Sequence, residues 1–297
     1  MKNQYVADIG DYGKYSLLKA FTDEKIKVGI NWYLTSNDDS NDGRFTDYLN
    51  KDSLRYYNPL VFDKLKIISA KKDKSVHDIE NSGLLLDAKY YSENIEFDGS
   101  PKEREEYRNN WFNKSFDELS DSELIFMDPD NGLLENGDAK KFGAEKYILP
   151  EEVKKYYEGG YNVVFYCHKG RRTLVKWDDY KSLLPALIPD AMPVVLTFHK
   201  GTQRSFIFLI HPKDFTRYKK IIDALLSKWY RVFTEEYINN IKSSDALVGE
   251  LFVIETTKGV TYTFCKRADG KISVEKSDNK NTKIIVDSDH FCDRFSF

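Results

Sequence analysis

Cysteine is scarce in this 297-residue chain: Cys167, Cys265 and Cys292 are the only three, and no two form a CxxC spacing. An odd, scattered set argues against both a disulfide framework and a cysteine-based zinc site. Nowhere do about eighteen apolar residues run together, and Met1 to Asp8 lack the apolar centre of a signal peptide. The expectation is a cytoplasmic protein with no membrane span. Net charge is also nearly absent, −3 in all, so nucleic acid would have to be held by a local basic patch rather than by the protein's overall field. Glycine is missing where a cofactor would need it: the loop 35–44, after the first candidate strand, holds Gly43 alone. Dinucleotide and S-adenosylmethionine sites of Rossmann type use a glycine-rich turn there, because only glycine lets the backbone approach the ligand closely. No cofactor and no resident metal are expected, and no oligomeric state is implied.

The residues that are plentiful describe a large globular core, with 41% hydrophobic and 31% charged residues. Aromatics are frequent, 19 Phe and 20 Tyr beside 4 Trp, and any left exposed in a cleft would suit base stacking. The stretch 123–133 is the most informative. Leu124 to Met127 make a short apolar strand that runs into Asp128, Pro129, Asp130, Asn131 and Gly132. In open α/β sheets ligands bind beyond the carboxyl ends of strands, so two carboxylates and a carboxamide there are a site candidate, although the same residues also build plain turns.

Residues 5–14 place Asp8, Asp11 and Lys14 beside two glycines, ahead of a helical pattern in which Tyr15, Leu18 and Phe21 share a face. Asp11 is the expected helix cap. Lys27–Leu34 reads as the first strand, Leu65–Ser69 as another, and 73–122 as polar and mostly helical. Two later strands, 161–167 and 193–198, end alike: His168-Lys169-Gly170-Arg171-Arg172 and His199-Lys200-Gly201-Thr202-Gln203-Arg204. Each turn combines an imidazole, a flexible glycine and cations suited to phosphate, here Lys169, Arg171, Arg172, Lys200 and Arg204. Lys14 joins them as a candidate phosphate contact. From Leu247 the hydrophobic period becomes two, with Lys258-Gly259 and Asp269-Gly270 as turns. The expected fold is a three-layered α/β domain with a Rossmann-like sheet over 1–242, followed by a small antiparallel β appendage over 243–297.

Three chemistries compete for these residues. In the first, Asp128 or a neighbouring acid (Asp130, Asp8 or Asp11) and Asn131 hold a water for attack on an N-glycosidic carbon. His168 or His199 supports the departing base, which Tyr12, Trp32 and Tyr33 would hold once flipped. In the second, the strand-end loop stands in for the Asp-Pro-Pro-Tyr loop of amino methyltransferases, without its stacking ring. In the third, Asp8, Asp11, Asp128 and Asp130 bind magnesium for phosphodiester cleavage. A binding module that senses foreign nucleic acid through the basic turns is the non-enzymatic alternative.

Three motifs, Asp8-Ile-Gly-Asp-Tyr-Gly-Lys-Tyr15, Trp32-Tyr-Leu34 with Asp42-Gly43, and Phe126-Met-Asp-Pro-Asp-Asn-Gly-Leu133, together resemble a widespread bacterial family. That resemblance spans roughly residues 5–210 and implies an antiphage DNA glycosylase. Its substrate would be phage DNA carrying heavily modified cytosine, such as glucosylated hydroxymethylcytosine. The Asp128 loop is also loosely similar to that of uracil-DNA glycosylases, with His168 or His199 in the place of their strand-end histidine. Their Gly-Gln-Asp-Pro-Tyr-His and His-Pro-Ser motifs are absent. A weaker similarity to ribosomal-RNA adenine methyltransferases keeps methylation as the alternative.

Overall fold

The computed structural model describes residues 1–236, apart from 40–42, 44, 136, 171, 174, 175, 178, 182 and 184–187, and beyond them the backbone of four strands. The chain divides into two compact units, Met1–Ile238 and Asn239–Phe297. In the first, β1 (Val28–Asn31), β2 (Lys89–Tyr91), β3 (Leu124–Met127), β4 (Asn162–His168), β5 (Met192–Phe198), β6 (Arg204–Ile210) and β7 (Phe233–Glu236) form one sheet in the order β2-β1-β3-β4-β6-β5-β7. The four strands β2, β1, β3 and β4 are parallel. β6 runs antiparallel to both β4 and β5, and β7 antiparallel to β5.

Alternation along the central strands explains the layering. Successive side chains point to opposite faces, so Leu124 and Phe126 enter one core while Ile125 and Met127 enter the other. The first core is closed by α1 (Ile9–Asp23), α2 (Pro59–Ser69) and α6 (Pro212–Lys228), through Leu17, Phe62 and Ile222 among others. α3 (Val76–Glu80) adds Val76 and Ile79 to it. The second core is closed by α4 (Pro101–Glu118) and α5 (Pro150–Glu158), through Trp111, Phe112, Val153 and Tyr156. This is the expected three-layered α/β arrangement. β1 and β3 are buried along their whole length, as parallel strands covered on both faces must be.

Two local expectations are corrected. Leu65–Ser69 belongs to a helix: Asn58 accepts from Val61 N at 3.3 Å, Pro59 takes the first helical position, and Val61, Phe62, Leu65 and Ile68 bury one stripe. Conversely, the 73–122 stretch contains β2, whose three residues are too few for a periodic signal.

The second unit is a four-stranded antiparallel sheet of β8 (Leu251–Glu255), β9 (Thr261–Lys266), β10 (Ile272–Ser277) and β11 (Thr282–Val286), paired in chain order. The Lys258-Gly259 and Asp269-Gly270 turns and the 242/243 boundary lie outside the described residues. No helix among the described residues is long and apolar enough to cross a membrane.

Candidate functional site

β2 lies on one side of β1 and β3 on the other, so the chain reverses its direction of travel between β1 and β3. In a sheet of this kind the crevice at the carboxyl ends of those two strands is the place for a ligand. Asp128 is the first residue past β3, and its N–H donates to Asn31 O at 3.0 Å, which carries the β1–β3 ladder one bond further and anchors the carboxylate at the crevice. β5 and β4 are both antiparallel to β6, so the turns after β4 and β5 open at this same end. In the β4–β6 register His168 stands opposite Arg204.

The helix α1 enters the crevice from the first core. Its cap is Asp8, whose Oδ1 accepts from Gly10 N at 2.8 Å. Asp11, expected in that role, sits within the first turn, where Oδ2 accepts from Ala7 N at 2.9 Å and Oδ1 from Lys14 Nζ at 2.8 Å. Lys14 also donates to Asp128 Oδ2 at 2.7 Å, and all three side chains are buried. Asp8 in turn pairs with Arg204 and accepts from Phe45 N at 3.1 Å. Asp130 Oδ1 lies 2.9 Å from the Met1 ammonium, a charge contact without hydrogen-bond alignment. That ammonium donates to the carbonyls of Tyr33 and Asp128, both at 3.0 Å.

The loop itself is zipped to the segment ahead of α5. Asn131 N donates to Lys146 O at 3.0 Å, Ile148 N to Gly132 O at 2.9 Å, and Leu134 N to Ile148 O at 2.9 Å. Gly132 makes the turn at φ 100°, and a Cβ there would lie 2.9 Å from Cys167 Sγ and from Tyr180 Oη. Gly132→Ala is therefore expected to cost about 1–3 kcal/mol through a left-handed backbone and a crowded wall. Thermal unfolding should show it as a fall of roughly 2–4 °C per kcal/mol. An unchanged melting temperature would contradict the packing described for this turn.

The resulting cleft encloses about 360 Å³ and is lined by Asp8, Asp11, Lys14, Asp128, Asp130, Asn131, His168 and Arg204, all foreseen in the sequence. That volume is near the small end of ligand pockets, roughly 300–1,000 Å³, and so fits a small molecule or one nucleotide unit rather than a duplex. Burial pushes the carboxyls of Asp8 and Asp128 above the ordinary carboxylate range, against the opposing pull of Arg204 and Lys14 respectively. Burial also works against the charge on Lys14, but Asp11 and Asp128 outweigh it and hold the ammonium above its usual range. Two buried carboxylates thus share one cation, and Asp128 takes up a proton more readily than a solvated aspartate.

Other expected site residues lie elsewhere. Tyr12, Trp32 and Tyr33 are fully buried core residues, not a base pocket. Tyr12 Oη donates to Leu54 O at 2.6 Å and its ring packs 5.3 Å from Trp229. Trp32 Nε1 donates to Glu80 at 2.8 Å, and Tyr33 Oη to Glu152 at 3.0 Å. Their rings close the two cores, which leaves no face for a base. His199 turns toward β7, with its N–H on Val232 O at 2.8 Å and its Nε2 2.7 Å from Thr234 Oγ1. Lys169, Arg172 and Lys200 do not line the cleft. Arg172 lies over the Tyr180 ring at 4.6 Å and 3.7 Å from Glu135. Arg171 lies outside the described residues.

The cleft also holds residues the sequence reading missed: Tyr5, Phe45, Lys146, Tyr166 and Thr202. Phe45, 56% exposed, is its most exposed ring. Tyr166 could have been found, because it precedes His168 by two on one strand and so shares its face. Nothing local marks Phe45 or Lys146.

The donor set bears on the competing chemistries. Asp8, Asp11, Asp128 and Asp130 do share the cleft, but each faces a cation of the chain, and Lys14 Nζ occupies the place of an ion bridging Asp11 and Asp128. Among the described residues no group of three or more His, Cys, Asp or Glu side chains is arranged to hold a metal. Between β1 and β3 the Met1 ammonium donates to the carbonyls of Tyr33 and Asp128, and Lys2 is bridged to Thr35. The chain matches no protein-family model and no curated protein sequence.

Proposed function

We propose that the protein is a DNA base-acting hydrolase, most specifically a glycosylase that excises a modified cytosine from phage DNA in antiviral defence. What supports this is one observation: the acids and the amide of the β3 loop share a nucleotide-sized cleft with His168 and Arg204. In the proposed reaction Asp128 accepts a proton from a water that Asn131 orients toward the anomeric carbon. The paired carboxylates stabilise the oxocarbenium-like charge as the C–N bond breaks. His168 hydrogen-bonds the departing base, which takes the electron pair of the breaking bond. Phe45, at the rim, offers a stacking surface.

The test is incubation with phage DNA carrying modified cytosine, followed by an assay for abasic sites. Asp128→Asn and Asn131→Ala are each expected to lower excision by about 10²- to 10⁴-fold while cooperative unfolding is retained; wild-type turnover in both variants would refute the residue assignment. Absence of abasic sites with every modified substrate would refute the reaction. A base must be deprotonated, and burial raises the Asp128 carboxyl, so the acid limb of kcat/KM should fall above the ordinary aspartate value of 3.8. The same shift has a stability consequence. Folded Asp128 binds its proton more tightly than the unfolded chain does, so its penalty is full above its folded pKa and relieved as pH falls toward 3.8. Wild type should therefore gain on Asp128→Asn in that window.

A further inference from the structure

The polar groups of the cleft divide by whether the protein already occupies them. Asp8, Asp11, Asp128, Lys14 and Arg204 are tied to one another. Others are not: the Tyr166 phenol, the Asn131 carboxamide and the Lys146 ammonium, like the smaller Thr202 hydroxyl, have no hydrogen-bond or ion-pair partner among the described residues. Asn131 and Lys146 are neighbours, through the bond from Asn131 N to Lys146 O. The Tyr166 ring packs edge-on to Phe206 of the adjacent strand at 6.2 Å. A polar group kept uncommitted beside such a dense ion-pair network is available to a ligand, and leaving it unpaired against the wrong ligand is what makes it selective.

We propose that Tyr166 is a specificity-determining ligand contact: its O–H donates to an acceptor on a heterocycle that Asn131 also grips, while Lys146 takes the ligand's phosphate. The ligand class is a single nucleotide unit. A neutral phenol and a neutral amide suit an uncharged base, and the one uncommitted ammonium suits one phosphate. Burial pushes the Tyr166 phenol up to about 12, so it remains a donor across the neutral range. The ligand class rests on the nucleic-acid reading above, but the role of Tyr166 can be separated from hydrolysis.

The experiment titrates 2′-deoxynucleosides and their 5′-monophosphates, by NMR or calorimetry, into wild type, Tyr166→Phe and Lys146→Ala. Tyr166→Phe should weaken both probe types about tenfold, the worth of one hydrogen bond, with no loss of thermal stability because its O–H makes no internal bond. Lys146→Ala should weaken only the monophosphates. In the excision assay Tyr166→Phe should raise KM more than it lowers kcat. Equal affinity in wild type and Tyr166→Phe would overturn the assignment, and so would failure of the wild type to bind any probe at millimolar concentration. Tyr166-dependent binding without abasic-site formation would uphold it and remove the glycosylase reading. Abasic-site formation with KM unchanged in Tyr166→Phe would do the reverse.

Discussion

Lys14→Met should destabilise the protein by about 3–5 kcal/mol at neutral pH, the cost of removing one partner from a buried ion pair. Methionine keeps much of the apolar stem, so the loss reports the charge rather than a cavity. Lys14 is 5% exposed and Asp128 3%, so little solvent is at hand to take over the role of the ammonium. Without it, Asp11 and Asp128 face each other as like charges, and one of them must take up a proton. The folded variant then binds that proton far more tightly than the unfolded chain, so its stability rises as pH falls and the deficit against wild type narrows. Chemical unfolding at pH 7 and pH 5 measures both effects. Trp32, whose ring lies 5.8 Å from Lys14 Nζ, provides a local fluorescence reporter. A loss under about 1 kcal/mol at pH 7, typical of an exposed pair, would show that this triad is solvated in solution.

Arg108→Met is expected to cost a similar or larger amount, about 3–5 kcal/mol for the ion pair alone. Arg108, 4% exposed, forks onto Glu152 at 2.7 and 3.0 Å and also donates to Ala144 O at 2.8 Å and Tyr147 O at 2.6 Å. Glu152 in turn accepts from Tyr33 Oη at 3.0 Å and Leu149 N at 2.9 Å. One guanidinium thus ties α4 to the segment that carries Lys146 and lies against the Asn131 loop. Lysine cannot reproduce the fork, so Arg108→Lys should recover only part of the loss. The double variant Arg108→Met/Glu152→Gln should be more stable than Arg108→Met, because the stranded charge is gone. A double variant less stable than the single one would overturn this account. Since the segment positions Lys146, Arg108→Met should also weaken nucleotide monophosphate binding more than nucleoside binding.

Some of this was legible in the linear chain. Leu124 to Met127 fit a short buried strand, because an apolar run of four stops at Pro129 and Gly132. That stop puts Asp128, Asp130 and Asn131 at a strand end on the sequence alone. The polar, helical character of 73–122 likewise anticipates α3 and α4. Local signals mislead where two rules overlap. The apolar residues of 65–69 suit a strand until Asn58-Pro59 is recognised as a helix start. Asp11 suits a helix cap until Asp8, three residues earlier, is seen to do that work.

The sequence by itself determined the alternating α/β class and the strand ends that carry clustered polar residues, because those follow from periodicity and turn residues within a few positions. Only the tertiary structure decided which of those residues act on one another. Lys14 and Asp128 are 114 positions apart, and no local pattern encodes that one ammonium lies between two acids from different elements. Nor does any local pattern distinguish Tyr12, Trp32 and Tyr33 from Tyr5, Phe45 and Tyr166. All are aromatic residues near polar turns, and whether each fills a core or faces a cleft depends on what packs against it from remote parts of the chain.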